Sequence, residues 1–213
     1  MKLYFGPLAC SMATRIALHE LNLEADYVEV CPSTKSTLPA GDDYLKVNPM
    51  GLVPALVTDE GQVITENLAV LEYLAELSGR MPEARSARAE LRQWLAFLST
   101  ELHKAVFTPF FDRSADDHAR AYALKKAPQR LSVLEARLTG REVLVGAEFS
   151  VADAFLVTIL NWAQATPVDL QPYPGLNAYA ERHRRRPSVA AAITHELPLY
   201  IAEKKRERAR VSA

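Results

Sequence analysis

The hydrophobic period changes near residue 80, and this change constrains the fold more than any other feature of the chain. Strand and helix patterns alternate up to residue 79, whereas after "SGRMPEAR" apolar residues recur only at helical spacing. Such a pattern favours an α/β unit followed by an all-helical unit. We predict the first over residues 1–79 and the second over 87–205, with a frayed tail at 206–213.

Charge and composition narrow the class of protein. Residues 1–79 hold four Lys/Arg against eleven Asp/Glu, although the 213-residue chain has a net charge of only −1. This asymmetry supports two units, and the near-zero total argues against a nucleic-acid-binding protein. No apolar run approaches the roughly 18 residues of a membrane span. The two cysteines make no disulfide framework, and the five histidines are dispersed, so we predict a cytoplasmic protein without a metal site.

The first unit has the order strand, helix, strand, hairpin and helix. Short or alternating apolar runs predict strands at "KLYF", "DYVEV" and "VPALVTDEGQVIT", and the last of these turns back at "DEG". Helical spacing follows Ser11 and again follows "TEN" at 65–67. Residues 31–47 show no period and predict a loop that contains at most one turn of helix. The predicted order is therefore β-α-β-β-β-α.

The second unit begins with an amphipathic helix, whose apolar face is formed by Leu91, Trp94, Leu95, Leu98 and Leu102. Ser150 and Asp153 have the spacing of a capping box ahead of an apolar helix. Further helices are predicted over residues 131–138, 151–165, 176–183 and 188–195, and Pro128 leaves the start of the first of these open.

Cys10 stands between a predicted strand and a predicted helix. The N-terminus of a helix presents unpaired N–H groups and a partial positive charge, both of which stabilise a thiolate. The alternative is a small hydrophobic residue packed beneath the loop. "CSMA" has no second cysteine three residues on, so a dithiol C-x-x-C cycle is excluded. Cys31 ends a strand pattern and is interpreted as structural.

Two further stretches of the first unit hold candidate site residues. A cis bond between Val53 and Pro54 leaves the Val53 backbone free to pair with an extended peptide, whereas a trans proline simply begins an edge strand. Glu66 and Asn67 open a helix. The helix dipole alone accounts for a glutamate at this position. The alternative is that Glu66 accepts a ligand ammonium while first-turn N–H groups bind a carboxylate.

The segment "STELHKAVF" at 99–107 carries a second helical stripe beside its packing face, formed by Ala96, Thr100, His103 and Phe107. A helix with two such stripes packs its core on one side and faces a cleft or a partner on the other. His103 is then either a donor to a ligand or a half-buried packing residue.

Together these stretches resemble the cytosolic glutathione transferases, over essentially the whole chain. "MKLYFGPLACS", "NPMGLVPAL", "TEN" followed by "LEYLAE", and "FSVADAF" occur in the family's order and separations. Cysteine at position 10, together with "TELHKAVF", is most similar to the bacterial beta class. The resemblance implies a thioredoxin-like α/β domain joined to an all-α domain, with glutathione as co-substrate, no tightly bound cofactor, and a homodimer. It makes the capping box at Ser150 and Asp153 structural rather than catalytic.

The resemblance also implies roles for individual residues of the first unit. Cys10 lies beside the glutathione sulfur and can form a mixed disulfide with it. Lys35 contacts the glycine carboxylate, and Val53 pairs with the cysteinyl backbone. Glu66 and Asn67 hold the γ-glutamyl end. Asn67 departs from the family pattern, which often has serine at that position.

In the helical unit the resemblance implies that His103 lines the cleft near the sulfur, with Thr100 close by. Glu101 reaches the site from the neighbouring subunit. Phe107 and Phe110 line an apolar pocket for a hydrophobic electrophile. Ala96 departs from the beta class, which often has asparagine there, and this puts the affinity for glutathione in doubt.

Three functions remain open at this stage. The leading one is conjugation of the glutathione thiol to hydrophobic electrophiles. The second is glutathione-dependent thiol-disulfide exchange through Cys10 alone. The third is a non-catalytic binding or regulatory protein on the same scaffold.

Overall fold

A five-stranded mixed sheet organises the first part of the chain in a computed structural model that describes residues 1–211. The strand order is β3-β2-β1-β4-β5, in which β1 and β2 are parallel and the other neighbours are antiparallel. The strands are β1 (Lys2–Phe5), β2 (Asp26–Cys31), β3 (Ser36–Leu38), β4 (Ala55–Val57) and β5 (Val63–Thr65).

Two helices of this unit follow from the predicted periods. α1 (Met12–Glu20) connects the parallel strands β1 and β2, as a parallel pair requires, and α2 (Asn67–Leu77) follows β5. Ile16 on α1 and Leu71 on α2 are fully buried, as is Leu3 on β1. The predicted fold class is confirmed, and the predicted elements occur in the predicted order with one added strand, β3.

Strand β3 lies in a region predicted to be a loop. Its three residues pair with β2, with Glu29 opposite Leu38 and Cys31 opposite Ser36. Three residues are too short to show an alternating period, so only pairing with β2 identifies them as a strand.

Most of the remaining helices are longer than the sequence indicates, whereas α6 is shorter than its predicted range of 151–165. They are α3 (Arg85–Phe97), a π-type helix (Leu98–Phe107), α4 (Thr108–Phe111), α5 (Asp117–Leu138), α6 (Val151–Asn161), α7 (Pro174–Arg184) and α8 (Pro187–Val211). α5 continues through Pro128, the residue that left the start of this helix open in the sequence. One turn of 3₁₀ helix (Trp162–Ala165) continues α6.

The C-terminal helix corrects two expectations. By its contacts the chain forms one compact unit from Met1–Arg80 together with the segment from Pro187, and another from Met81–Arg186. The prediction placed residues up to 205 in the helical unit. α8 packs instead on α1, where Ser188 Oγ donates to Glu20 Oε2 at 2.7 Å. The predicted frayed tail is helical as far as Val211, and residues 212–213 lie outside the described part.

The predicted capping box at the start of α6 is present. The Asp153 carboxylate accepts hydrogen bonds from the Ser150 N–H at 2.9 Å and from the Ser150 hydroxyl at 2.7 Å. It also accepts from the Leu144 N–H at 2.6 Å and the Tyr179 hydroxyl at 2.8 Å. Asp153 is fully buried, so these four donors replace its hydration.

Within residues 1–211, no helix combines the length and the apolar content that crossing a membrane requires. The same part of the chain holds no group of three or more His, Cys, Asp or Glu side chains suited to a metal ion.

Candidate functional site

The Cys10 thiol lies in the turn that joins β1 to α1. The N–H groups of Met12 and Ala13 donate to the carbonyl oxygens of Ala9 and Cys10 at 3.0 and 3.1 Å, so the turn leads directly into the helix. The Cys10 side chain is half-buried and forms no disulfide within the described chain. The cysteine therefore stands where the sequence places it, just before a helix N-terminus, a position that favours anionic groups.

Buried contacts hold this turn in place. The fully buried Ser11 hydroxyl accepts from the Gly6 N–H at 3.1 Å and donates to the Gly6 carbonyl oxygen at 3.2 Å. Leu8 has a left-handed backbone with φ of 55°, which is uncommon for a non-glycine residue. Its N–H donates to the Glu196 carboxylate at 2.7 Å.

Val53 lies directly beside the thiol. Its carbonyl oxygen accepts a hydrogen bond from Cys10 Sγ at 3.1 Å, and the Val53–Pro54 peptide bond is cis. The preceding peptide is fixed as well, because Tyr44 Oη and Asn48 Nδ2 both donate to the Leu52 carbonyl oxygen at 2.7 Å. Among residues 1–211 the Val53 N–H has no acceptor. This N–H is available to a ligand.

The start of α2 offers a second available donor. Asn67 is only 7% exposed; its Oδ1 accepts from the Thr14 hydroxyl at 3.0 Å, while its buried Nδ2 has no partner in the described chain. Glu66 precedes the helix with a φ of 62° and an exposed carboxylate that makes no ion pair with residues 1–211. Buried amide donors are normally satisfied, so the Asn67 Nδ2 indicates a missing acceptor.

Lys35 occupies a tight turn after β2. Its backbone is left-handed with φ of 54°, and its Nζ donates to the Gly51 carbonyl oxygen at 3.0 Å. A Cβ on Gly51, whose φ is 62°, would lie 3.0 Å from Lys35 Cδ, so a larger residue would strain the backbone and displace the Lys35 side chain. The ammonium has further hydrogens to donate. Its contact with a glycine carboxylate stays a prediction.

Cys31 lies at the end of β2 and is 5% exposed. Burial raises the pKa of its thiol, but hydrogen bonds with Ser33 and Thr34 outweigh burial and lower that pKa to about 6. Sγ lies 3.4 Å from the Ser33 hydroxyl and 3.6 Å from an Arg210 guanidinium nitrogen. The low exposure agrees with a structural residue.

His103 belongs to the helical unit and lies in an aromatic cluster. Its ring centroid is 5.0 Å from that of Trp162 and 6.2 Å from that of Phe155. Burial, assisted by the charge of Lys104, lowers the pKa of His103 to about 4. The imidazole is therefore neutral near pH 7. The neighbouring backbone is unusual, because the Thr108 N–H donates to the His103 carbonyl oxygen five residues back.

The two polar residues before His103 are already engaged within the chain. The Thr100 hydroxyl donates to the Ala96 carbonyl oxygen at 3.0 Å. Glu101 Oε2 accepts from Arg130 at 2.6 Å. A role for Glu101 in the site of a neighbouring subunit stays a prediction. Such a role requires Glu101 to break or share its ion pair with Arg130.

Phe107 corrects one expectation about the electrophile pocket. Its side chain is 0% exposed and packs on Trp162 at a centroid distance of 5.7 Å. Phe107 is therefore part of the packing of the helical unit and lines no accessible wall, whereas Ala96 and Thr100 of the same stripe are exposed. Phe110 is half-buried on α4 and remains a candidate.

Comparison with known proteins identifies the family. The family model for the glutathione S-transferase N-terminal domain matches residues 9–77, and that for the glutathione S-transferase C-terminal domain matches residues 97–187. The chain belongs to the glutathione S-transferase family.

Relatives of this transferase cover nearly its whole length. The glutathione S-transferase GstA of Escherichia coli O157:H7 is 35% identical over 200 residues, covering 92% of this chain and 98% of that protein. A solved sphingomonad glutathione S-transferase complexed with glutathione is 42% identical, with a TM-score of 0.86 and coverage of 92% and 98%. The bacterial beta class enzyme of Sphingomonas chungbukensis is 40% identical, with the same TM-score of 0.86 and the same coverage of 92% and 98%. The family resemblance and the beta-class likeness are confirmed.

Several residues of the transferase were not found from the sequence. Thr14 orients Asn67, and Tyr44 with Asn48 fixes the peptide before Val53. Their partners lie far along the chain or in a loop without a period, so no spacing indicates them. Trp162 lies at the centre of the aromatic cluster, but the sequence pattern indicates only that it belongs to an apolar helix.

Proposed function

We propose that this glutathione S-transferase binds glutathione as an extended peptide along Val53 and conjugates its thiol to a hydrophobic electrophile. One observation carries the proposal. The Val53 N–H has no acceptor in the described chain, and the Val53 carbonyl oxygen accepts the Cys10 thiol at 3.1 Å. A peptide that pairs with Val53 in strand fashion brings its cysteinyl residue next to Cys10, and the carbonyl keeps a second lone pair for it.

The two ends of glutathione find complementary groups in the same unit. Asn67 Nδ2 is a buried donor without a partner and suits the γ-glutamyl carboxylate, while the exposed Glu66 carboxylate suits the ammonium. The Lys35 ammonium suits the glycine carboxylate. Because charge-assisted hydrogen bonds are stronger than neutral ones, these ends fix the register of the tripeptide.

The roles proposed for residues of the helical unit rest on the family resemblance. A neutral His103 donates one hydrogen bond to a thiolate but supplies no positive charge. Thr100 and Phe110 are proposed beside it, the latter against the electrophile. Glu101 is proposed to act in a homodimer, where it has to leave or share its ion pair with Arg130.

The proposed reaction needs glutathione as co-substrate and no tightly bound cofactor. The glutathione thiol loses its proton to solvent water, and the positive end of α1 and a neighbouring donor stabilise the resulting thiolate. The sulfur then attacks the electrophilic carbon, a carbon–sulfur bond forms, and the leaving group departs with its electron pair. Holding both reactants in contact lowers the entropic part of the barrier.

Thiol-disulfide exchange is the second candidate, and the half-exposed thiol of Cys10 favours it. In that reaction the Cys10 thiolate attacks a glutathione disulfide, and glutathione leaves as the thiolate. Exchange requires Cys10, whereas conjugation requires only the glutathione thiol. A non-catalytic role is opposed by relatives named as transferases.

The test is glutathione consumption with an activated aryl halide by wild type, Cys10→Ala and the matched control Cys31→Ala. Conjugation predicts turnover by wild type and by Cys31→Ala, with a large part of the rate kept by Cys10→Ala. Complete loss in a folded Cys10→Ala variant favours exchange. Absence of turnover by wild type contradicts the conjugation proposal, and a glutathione disulfide substrate is then the next assay.

A further inference from the structure

The last turns of α8 contact strand β2 and the turn that follows it. Arg206 Nη2 donates to Glu29 Oε1 on β2 at 2.5 Å, across 177 residues of sequence. Four residues further along, Arg210 Nη1 donates to the Ser33 hydroxyl in the turn. Residues four apart lie on the same face of a helix, so this arginine pair, Arg206 and Arg210, contacts two successive points of one segment.

The inner end of this contact is packed and its outer end is exposed. The Glu29 side chain is 10% exposed, and Glu203, on the preceding turn of α8, is 8% exposed. Because a buried carboxylate is costly without a partner, the bond from Arg206 secures α8 against β2. Arg210 is exposed, and the nitrogen that donates to the turn also lies 3.6 Å from Cys31 Sγ.

The turn contacted in this way carries Lys35. The Lys35 N–H donates to the Cys31 carbonyl oxygen at 3.0 Å, and the Lys35 carbonyl oxygen accepts from the Tyr44 N–H at 2.9 Å. Lys35 nevertheless has a left-handed backbone, with φ of 54°. Such a conformation is unfavourable for a residue other than glycine and persists only where the surrounding structure holds it. The arginine pair is part of that surrounding structure, and it lies beyond residue 187, where the match to the C-terminal family model ends.

We propose that the arginine pair sets the preference for glutathione over γ-glutamylcysteine, the same peptide without its glycine, by holding the turn that presents Lys35. The inference rests on the proposed function in so far as the Lys35 ammonium contacts the glycine carboxylate. Both arginines are positioning residues, because they contact the turn and not the ligand. A turn that is in its binding position for only part of the time lowers the apparent affinity by that fraction.

The experiment compares wild type with Arg206→Gln, Arg210→Gln and the double variant. Lys205→Gln removes the same charge from an exposed position of α8 and is the matched control. Dissociation constants for glutathione and for γ-glutamylcysteine are measured by calorimetry, also in a Lys35→Gln background. Hydrogen exchange at the Lys35 amide is measured without any ligand and reports on the turn itself.

We expect the affinity for glutathione to fall about threefold in each single variant and about tenfold in the double variant, as for two independent pairs near the surface. Exchange at the Lys35 amide should become faster in the same order. The affinity for γ-glutamylcysteine and every value for Lys205→Gln should stay as in wild type. In conjugation, KM for glutathione should rise while kcat stays within about twofold, since Cys10 and Val53 are unchanged. In the Lys35→Gln background the arginine changes should have no further effect on affinity.

A folded double variant with wild-type exchange at Lys35, or with the wild-type preference between the two peptides, overturns the inference. An equal loss of affinity for both peptides overturns it as well, because it indicates general damage to the site. Should the double variant fail to fold, Arg210→Gln, at the exposed end of the contact, decides by the same criteria. Wild type that binds neither peptide contradicts the proposed function, whereas faster exchange at Lys35 in the variants would still show that the arginine pair holds the turn.

Discussion

The thiol of Cys10 and the carbonyl oxygen of Val53 lie 3.1 Å apart, joined by a hydrogen bond between two loops. Sheet pairing explains why they meet. Tyr4 of β1 lies opposite Ala55 of β4, so the residues that follow β1 and those that precede β4 share one end of the sheet. The register of β1 and β4 therefore places the Cys10 thiol next to the Val53 backbone, which is proposed to bind the peptide.

Asn67→Asp should weaken glutathione binding. The change removes the amide donor that has no partner in the described chain and puts a negative charge where a carboxylate is proposed to bind. We expect the dissociation constant, measured by calorimetry, to rise by at least about tenfold, the cost of one charge-assisted hydrogen bond. Asn22→Asp, at an exposed position after α1, is the control. Equal affinity of Asn67→Asp and wild type for glutathione would show that Asn67 does not bind it.

His103 should make stability depend on pH in a defined window. Its pKa is about 4 in the folded protein, against 6.5 for an ordinary histidine, so the unfolded chain binds the proton more tightly. The neutral ring thus contributes stability above pH 6.5, and this contribution is lost as the pH falls from 6.5 to about 4. Its size is roughly 3 kcal/mol.

The measurement is urea unfolding of wild type and His103→Phe at several pH values across that window. Relative to the variant, wild type should lose unfolding free energy as the pH falls. The exposed His118, changed to Phe, serves as control. Parallel curves for wild type and His103→Phe would show that the buried ring does not titrate as described.

Asp153→Asn should destabilise the helical unit without a direct effect on chemistry. The buried carboxylate accepts four hydrogen bonds, and an asparagine offers one oxygen and an amide that cannot accept. We expect the free energy of unfolding to fall by about 3 kcal/mol, measured by urea denaturation. Asp169→Asn changes an exposed carboxylate that accepts from the Gln171 N–H, and it should cost less than about 1 kcal/mol. A similar loss in both variants would contradict this.

Local signals explain what could be predicted from the sequence. Cys10 before a helix, and the capping box at Ser150 and Asp153, depend on contacts within a few residues, and both were predicted correctly. The two halves with their different periods were likewise predictable. Such features need only propensity and spacing, which a single sequence contains.

Elements without a period of their own and contacts between distant residues explain what could not be predicted. Strand β3 is too short to show a period, and only its pairing with β2 identifies it. The assignment of α8 to the first unit depends on contacts such as that of Glu196 with Leu8, 188 residues apart. The helical period placed Phe107 on a stripe but could not show that the distant Trp162 packs against it.

The central claim is that glutathione binds with its sulfur beside Cys10, and mixed-disulfide mapping tests it most directly. The protein is incubated with glutathione disulfide, with and without excess S-methylglutathione, and both cysteine peptides are analysed by mass. The account predicts that Cys10 is glutathionylated, that S-methylglutathione protects it, and that Cys31 stays unmodified because it is buried, although the pKa of its thiol is lowered from the ordinary value to about 6. Modification of Cys31 instead of Cys10, or of Cys10 without protection, would contradict the account.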